Sequence, residues 1–152
     1  MTGGVPRIPA SAGALVYDGD GRLLILKPTY KKGWTIPGGQ FEDESPWDAC
    51  RREAQEECAL ELREGRLACV DFRPPGPKRP GGLRFVFDCG PLSDAEQAGI
   101  RLQEEEIEAH RFVSLDEALE LLSAPISRRV SACAGRDRCV YLEDGRPLAA
   151  VS

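Results

Sequence analysis

The feature that most constrains this chain is a glycine pair, Gly38-Gly39, followed by an acidic helix-forming run that ends near Leu60. Ser45 is a good N-cap, and Pro46 falls at the first helical position, where its missing N–H costs nothing. Asp48 lies in the first turn, where the helix dipole favours negative charge. At 100° per residue, the pattern predicts that Trp47, Cys50, Ala54 and Cys58 form one apolar stripe. It puts Glu53, Glu56 and Glu57 on a separate arc beside that stripe. Such a helix packs on its stripe and presents three carboxylates together.

Carboxylates at i, i+3 and i+4 repel one another. With oxygens about 5 Å apart, each pair costs roughly 3 kcal/mol at an effective dielectric near 20, and under about 1 kcal/mol in open water. Two readings follow: a solvated acidic face, where that cost is small, or a ligand set for a divalent cation. The cation reverses the sign of the energetics, because hard oxygen donors suit Mg²⁺ or Mn²⁺. The glycine pair favours the second reading, since it lets backbone come close to a ligand and frees the Gly38 carbonyl to point at the same ion.

Along this stretch the chain resembles the Nudix hydrolases, whose signature is Gly, five residues, Glu, seven residues, then Arg-Glu-(aliphatic)-x-Glu-Glu-x-Gly-(aliphatic). The pattern falls on Gly38, Glu44, Arg52, Glu53, Ala54, Glu56, Glu57, Ala59 and Leu60. There are two departures. Ala59 replaces the usual Gly, and the approach Gly-Gly-Gln-Phe-Glu-Asp-Glu is one residue shorter than the family's Gly-Gly-x-x-Glu-x-Gly-Glu and lacks its later Gly.

The resemblance implies an α+β fold, a Nudix-type α/β/α sandwich with a mixed central sheet. It also implies Mg²⁺- or Mn²⁺-dependent hydrolysis of the diphosphate bond of a nucleoside diphosphate linked to another moiety. Nucleoside triphosphates, ADP-ribose and nucleotide-sugars all stay open as substrates. By that resemblance Glu53, Glu56 and Glu57 are the metal ligands, with the Gly38 carbonyl as a weaker candidate. Arg52 holds Glu53 in place, and Glu44 either orients Arg52 or binds a further metal. Glu53 is one candidate base, and Glu104, Glu105, Glu106 and Glu108 supply others, unless that acidic run is only a solvated connector. Two alternatives stand beside the hydrolase: an inactive Nudix fold used for nucleotide sensing, and a protein like isopentenyl-diphosphate isomerase. The first should show eroded helix carboxylates, and all three are present here; for the second no recognisable isomerase Cys motif is found.

Ahead of the glycine pair stand Lys27, Tyr30, Lys31, Lys32 and Trp34. They read either as a solvated basic loop or as a pocket wall, with Tyr30 or Trp34 stacking a base and Lys27 or Lys32 meeting phosphate. Arg73, Lys78 and Arg79 lie on a loop, residues 73–82, that holds four prolines and three glycines; it could close over substrate or merely connect. His110 has no expected role.

Length and charge bound the rest. At 152 residues the expectation is a single domain over 1–152, with 1–9 a loose leader and 136–152 carrying a C-terminal hairpin. A net charge of −5 argues against binding duplex nucleic acid, which asks for a basic footprint. There is no membrane-length apolar run, and no signal-peptide pattern. Six Cys without a C-x-x-C pair, and one His, speak against structural zinc and read as reduced thiols of a cytoplasmic protein. The expected partner is a small nucleotide, and family analogy admits a homodimer.

In chain order, 12–17 and 22–27 read as strands joined by the hairpin signal Asp18-Gly-Asp-Gly21. Residues 34–36 read as a short strand entering the glycine turn, and 66–72, 83–89 and 109–113 as further strands. Residues 90–105 read as a polar connection. Ser114 starts a helix through Leu122 with Glu117 completing a capping box, and 125–134 are weakly helical.

Overall fold

The computed structural model describes residues 4–151, so residues 1–3 of the expected leader lie outside it. Eight strands form one mixed sheet in the order β6-β2-β1-β5-β4-β7-β8, with β3 paired to β1 off that path. They are β1 (Ala10–Tyr17), β2 (Leu23–Pro28), β3 (Gly38–Gln40), β4 (Arg66–Arg73), β5 (Gly82–Pro91), β6 (Ile107–Val113), β7 (Val140–Glu143) and β8 (Arg146–Pro147). The pairs β1–β5 and β4–β7 are parallel and the others antiparallel.

Helices cover both faces. Along β1 and β2 the side chains alternate, as a strand of period two requires. Ala12, Ala14, Val16, Leu24 and Leu26 face α1 (Pro46–Cys58), which meets them with Ala49, Cys50, Ala54 and Cys58. Leu15, Leu23 and Ile25 face the other way, toward Ala118 of α3 (Leu115–Leu121) and Val130 and Cys133 of α4 (Ala124–Cys133). Burial on both faces explains the unbroken run Leu23-Leu-Ile-Leu26. The result is the expected α+β sandwich, a mixed sheet between helices.

Local chemistry accounts for most boundaries. The Asp18 carboxylate accepts the N–H groups of Asp20 and Arg22 at 3.0 and 2.9 Å, closing the first hairpin. Ser45 caps α1 by accepting from Asp48 N–H at 3.1 Å. Four expectations change. The Gly38-Gly39 turn is a strand, β3, paired with Ser11–Gly13 of β1. Trp34 and Thr35 make only single bridges, to Leu122 and Leu26. The polar connection holds a short helix, α2 (Asp94–Ala98), whose Ser93 and Glu96 form a reciprocal capping box. At α3, Ser114 does cap, but the Glu117 carboxylate turns to Arg111 at 2.7 Å instead of back to the cap.

One detail of the pairing positions the site. β1 is joined to β2 only where Tyr17 meets Leu23, and on the same edge its other end, Ser11–Gly13, is taken by β3. The glycine strand is thereby pressed between β1 and α1. A Cβ on Gly38 would collide with the Ala12 carbonyl, and one on Gly39 would lie 2.5 Å from the Glu53 carboxyl carbon. At Gly38 the obstacle is backbone and no larger residue fits; at Gly39 a side chain would force the Glu53 carboxylate away from Arg52.

Candidate active site

Arg52 organises the exposed end of α1. Its guanidinium donates to Glu44 (Nη2 to Oε1, 2.6 Å; Nε to Oε1, 2.9 Å), to Glu53 (Nη1 to Oε1, 2.9 Å) and to Glu56 (Nη1 to Oε2, 3.2 Å). It also donates to the Gln40 carbonyl at 3.0 Å, tying α1 to β3. One cation thus holds three acids, with Glu42 at 3.7 Å as an outlying fourth. The Arg52 bonds hold the Glu44 carboxyl below its usual range. Residues 42–44, the shortened approach, still bring Glu44 to Arg52, and Glu44 Oε1 also accepts from Glu42 N–H at 3.2 Å.

Glu57 departs from the expected arc. It is 5% exposed, and its Oε1 accepts the Gly38 N–H at 2.8 Å. Helical geometry gives the reason. Setting Cys50 at zero and stepping 100°, Glu57 falls at about −20° and Glu53 at about −60°, inside the buried arc from Ala49 at about −100° to Cys58 at about +80°. Only Glu56 lies beyond that arc, and its side chain is 52% exposed. Burial pushes the Glu57 carboxyl up to about 8; the Gly38 hydrogen bond opposes this, and the charges of Glu53, Glu106 and Glu56 add to it. Glu53 is raised as well, first by burial, with Arg52 pulling the other way.

Among the described residues, no three His, Cys, Asp or Glu side chains are disposed to hold a metal ion as they stand, because Arg52 and Gly38 occupy carboxylate oxygens. The donor set nonetheless fits a divalent ion in kind. Two desolvated carboxylates with elevated pKa, beside a third in solvent, form a charge excess that a hard dication neutralises. Of the acidic run 104–108, Glu106 is the member whose charge reaches Glu53, Glu57 and the phenol of Tyr30. The loop holding Tyr30 is fixed there by Thr29, whose N–H donates to the Glu106 carbonyl at 2.8 Å. Glu108 instead faces Lys27 at 3.5 Å.

A cavity of about 200 Å³ opens beside Glu57 and the glycine strand. Tyr30, Lys31, Arg84 of β5 and Ile126 and Arg129 of α4 line it as well. Tyr30 is 72% exposed, and burial together with the Glu57 charge raises its phenol. The other flanking candidates sit elsewhere. Lys27 donates to the carbonyls of Pro28 and Lys31 at 2.9 and 2.6 Å, and Lys32 is exposed. Trp34 packs on the α3 side of the sheet, with the Arg111 guanidinium 5.8 Å from its ring centre. Arg73 is bound to the Asp144 carboxylate at the β7–β8 turn.

Sequence reasoning missed Asp71, Arg84 and Arg129. Asp71 is fully buried on β4 and accepts from Arg129 Nε at 2.7 Å and Gly145 N–H at 2.9 Å. A signal existed: Arg84 alternates with Leu83, Phe85 and Phe87, so a charge points from the middle of a central strand to the face opposite the phenylalanines. His110 is exposed and lies edge-on to Phe112. All six cysteines are free. Among the described residues no helix is long and apolar enough to cross a membrane.

Comparison with known proteins accords with this geometry. The family model for the NUDIX domain matches residues 7–132. Among solved structures, the chain is similar to the MutT protein from Methanosarcina mazei Go1, at 26% identity and TM-score 0.63 over 78% of this chain and 86% of that one. It shares its fold with the Nudix domain of Shewanella oneidensis NrtR complexed with ADP-ribose, at 14% identity and TM-score 0.68 over 84% and 86% of the two chains. It shares it also with an Ap4A hydrolase from C. elegans, at 20% identity and TM-score 0.58 over 80% and 96%. No curated protein matches the sequence. With the family match spanning the whole of the acidic helix and most of the sheet, the chain belongs to the Nudix family.

Proposed function

We propose that the chain is a Mg²⁺- or Mn²⁺-dependent hydrolase that cleaves the diphosphate bond of a nucleoside diphosphate linked to another moiety. The observation that carries this is the acid set of α1: Glu53 and Glu56 are both bonded to Arg52, which offsets them only in part, and buried Glu57 lines the cavity beside the glycine strand. Glu53, Glu56 and Glu57 would hold the metal, which when bound supplies charge neutralisation at the diphosphate and a lowered pKa for water.

The protein's own part is positioning. Arg52, fixed by the bonds it donates to Glu44, keeps Glu53 turned toward β3. The Gly38 N–H sets the orientation of Glu57, and the missing side chains of Gly38 and Gly39 let β3 lie against β1 and against the Glu53 carboxylate. Glu53, whose side chain is mostly buried, is suited to accept a proton from attacking water, and Glu106 is the second candidate for that task. Tyr30 is the aromatic available at the rim of the cavity to stack on a base, whereas Lys27, Lys32, Trp34 and Arg73 lie outside it and are proposed only as outer contacts. We place this activity in the cytoplasm, where the six thiols stay reduced.

The deciding experiment is a panel of nucleoside triphosphates, dinucleoside polyphosphates, ADP-ribose and nucleotide-sugars, incubated with and without Mg²⁺ and analysed by mass. Release of a nucleotide or phosphate that requires Mg²⁺, and is lost by at least about a hundredfold in Glu56→Gln and Glu57→Gln, is the expected result. Turnover of either variant within about tenfold of wild type would sink the assignment.

A further inference from the structure

The unexplained group at the cavity is Arg84. In the sheet it stands directly between Asp71 of β4 and Ser11 of β1, each being its Cα partner across a strand pair. A carboxylate and a guanidinium placed opposite each other on neighbouring strands normally pair. Here the acid is diverted, since Asp71 gives one oxygen to Arg129 and the other to Gly145 N–H. Arg84 is left with a single hydrogen bond, to the Leu83 carbonyl at 3.3 Å, and among the described residues it has no carboxylate in ion-pair range.

Its surroundings make that isolation costly. Arg129, Arg73 and Arg79 act on Arg84 as like charges, yet each of those has an acceptor already: Asp71, Asp144 and the Pro74 carbonyl. Burial and these neighbours together depress the Arg84 guanidinium, and only Asp71 pulls the other way. The reading of Arg84 as a mere apolar stem lying on β5 explains its methylenes but not a half-buried charge with no carboxylate in ion-pair range. A cavity wall with a surplus cation calls for an anion from outside.

We propose that Arg84 is a specificity-determining residue of this site, binding a phosphate carried by the moiety at the far side of the scissile diphosphate. The planar fork of arginine matches phosphate oxygens two at a time. The cavity, about 200 Å³, is smaller than a pocket for a whole drug-sized ligand, so it receives a fragment such as a phosphorylated sugar or a terminal phosphate. Glu57 and Arg84 both line this cavity, so an acid that would face the metal-directed end of the diphosphate and a cation for its far end share one space. The chain is thereby biased toward substrates whose second moiety bears its own negative charge, over neutral nucleotide-sugars. This rests on the hydrolase reading for the identity of the substrate, while the anion subsite itself does not.

The test therefore has a metal-free arm. In EDTA, ribose 5-phosphate and ribose are titrated by calorimetry into the full chain, into Arg84→Gln and into Arg84→Lys, each first checked by thermal melting. The phosphorylated sugar should bind wild type and ribose should not; Arg84→Gln should weaken binding roughly tenfold to a hundredfold, with Arg84→Lys between the two. Absence of binding to wild type, or equal binding to a folded Arg84→Gln, overturns the proposal. On the same preparations with Mg²⁺, the ratio of kcat/KM for a nucleoside triphosphate to that for UDP-glucose should fall at least about tenfold in Arg84→Gln. A variant that merely loosens the strand would lower both alike and overturn the specificity role. Failure of Mg²⁺-dependent hydrolysis in wild type, with metal-free binding intact, would remove the hydrolase reading and leave the anion subsite standing.

Discussion

Two charged clusters on this sheet are built with opposite signs. At the glycine strand, one guanidinium, Arg52, serves Glu44, Glu53 and Glu56, and Glu57 is left over in a buried place. At the α4 side, one carboxylate, Asp71, serves Arg129, and Arg84 is left over. The first is short of positive charge and the second short of negative charge, and the same cavity touches Glu57, Arg84 and Arg129. A metal-bound phosphate compound is the kind of ligand that corrects both at once. The two clusters also differ in burial: Asp71 is fully buried with both oxygens satisfied, whereas Glu56 is half in solvent with a single bond to Arg52.

Breaking the base-rich cluster should give the larger effect on stability. Asp71→Asn leaves the 7%-exposed Arg129 without its counter-charge, and removing one member of a buried pair costs about 3–5 kcal/mol. The double variant Asp71→Asn/Arg129→Met should recover part of that loss, because replacing both members removes the orphaned charge. Denaturant melts of the three proteins decide the matter. A single variant within about 1 kcal/mol of wild type would mean that the pair is not the anchor of the α4 side.

The acid-rich cluster should reveal itself through pH. Glu57 keeps its proton in the folded chain up to about 8, while in the unfolded chain it titrates near its ordinary 4.5. Between those values the native state binds the extra proton, so stability falls as pH rises, with a slope of at most about 1.4 kcal/mol per pH unit. Thermal melts in EDTA should therefore drop from pH 5 toward pH 8, and Glu57→Gln should flatten the curve. Mg²⁺ competes with that proton, and should raise the melting temperature more at pH 8 than at pH 5.5. A wild-type curve as flat as that of the variant would show that Glu57 is not held in the way its burial suggests.

What could be seen in the sequence divides along the same line. The acidic helix, its Ser45 cap and most strand segments follow from local chemistry and periodicity, because those signals lie within a dozen residues of each other, whereas the sandwich with its mixed sheet is what the family resemblance implies. The phase of the helix was harder. Glu57 sits at an angle on the buried side, where its charge argues for solvent, and the N–H of a glycine strand nineteen residues upstream makes its burial tolerable. The sequence shows Arg84 as a charge within an apolar alternation, but its role is hidden for a related reason. Its importance comes from a partner that went elsewhere, and the competition among Asp71, Arg129 and Gly145 spans three separate elements. Conversely Lys27, Lys32 and Trp34 stood close to the glycine pair in sequence, yet Trp34 crosses to the α3 layer when it bridges Leu122. Proximity along a loop does not say which face the loop serves.

The smallest effect comes from a position that touches neither cluster. Ala59 ends α1 in the left-handed conformation, φ 59° and ψ 31°, with Leu60 N–H reaching back to the Ala54 carbonyl at 3.3 Å. That geometry suits glycine, and an alanine held there carries a strain of roughly 1–2 kcal/mol. Ala59→Gly removes the strain but frees the unfolded chain somewhat, so a net gain of about 1 kcal/mol is expected, a rise of roughly 2–4 °C in melting temperature for a chain of this size. Because Ala59 is exposed and its methyl contributes to neither charge cluster, Mg²⁺ response and metal-free phosphate binding should both stay as in wild type. A stabilised variant with altered Mg²⁺ response would mean that the helix end helps to set the orientation of Glu56 and Glu57. In that event the two clusters differ for a reason that lies in the backbone, and the alanine is part of how the acid-rich one is aimed.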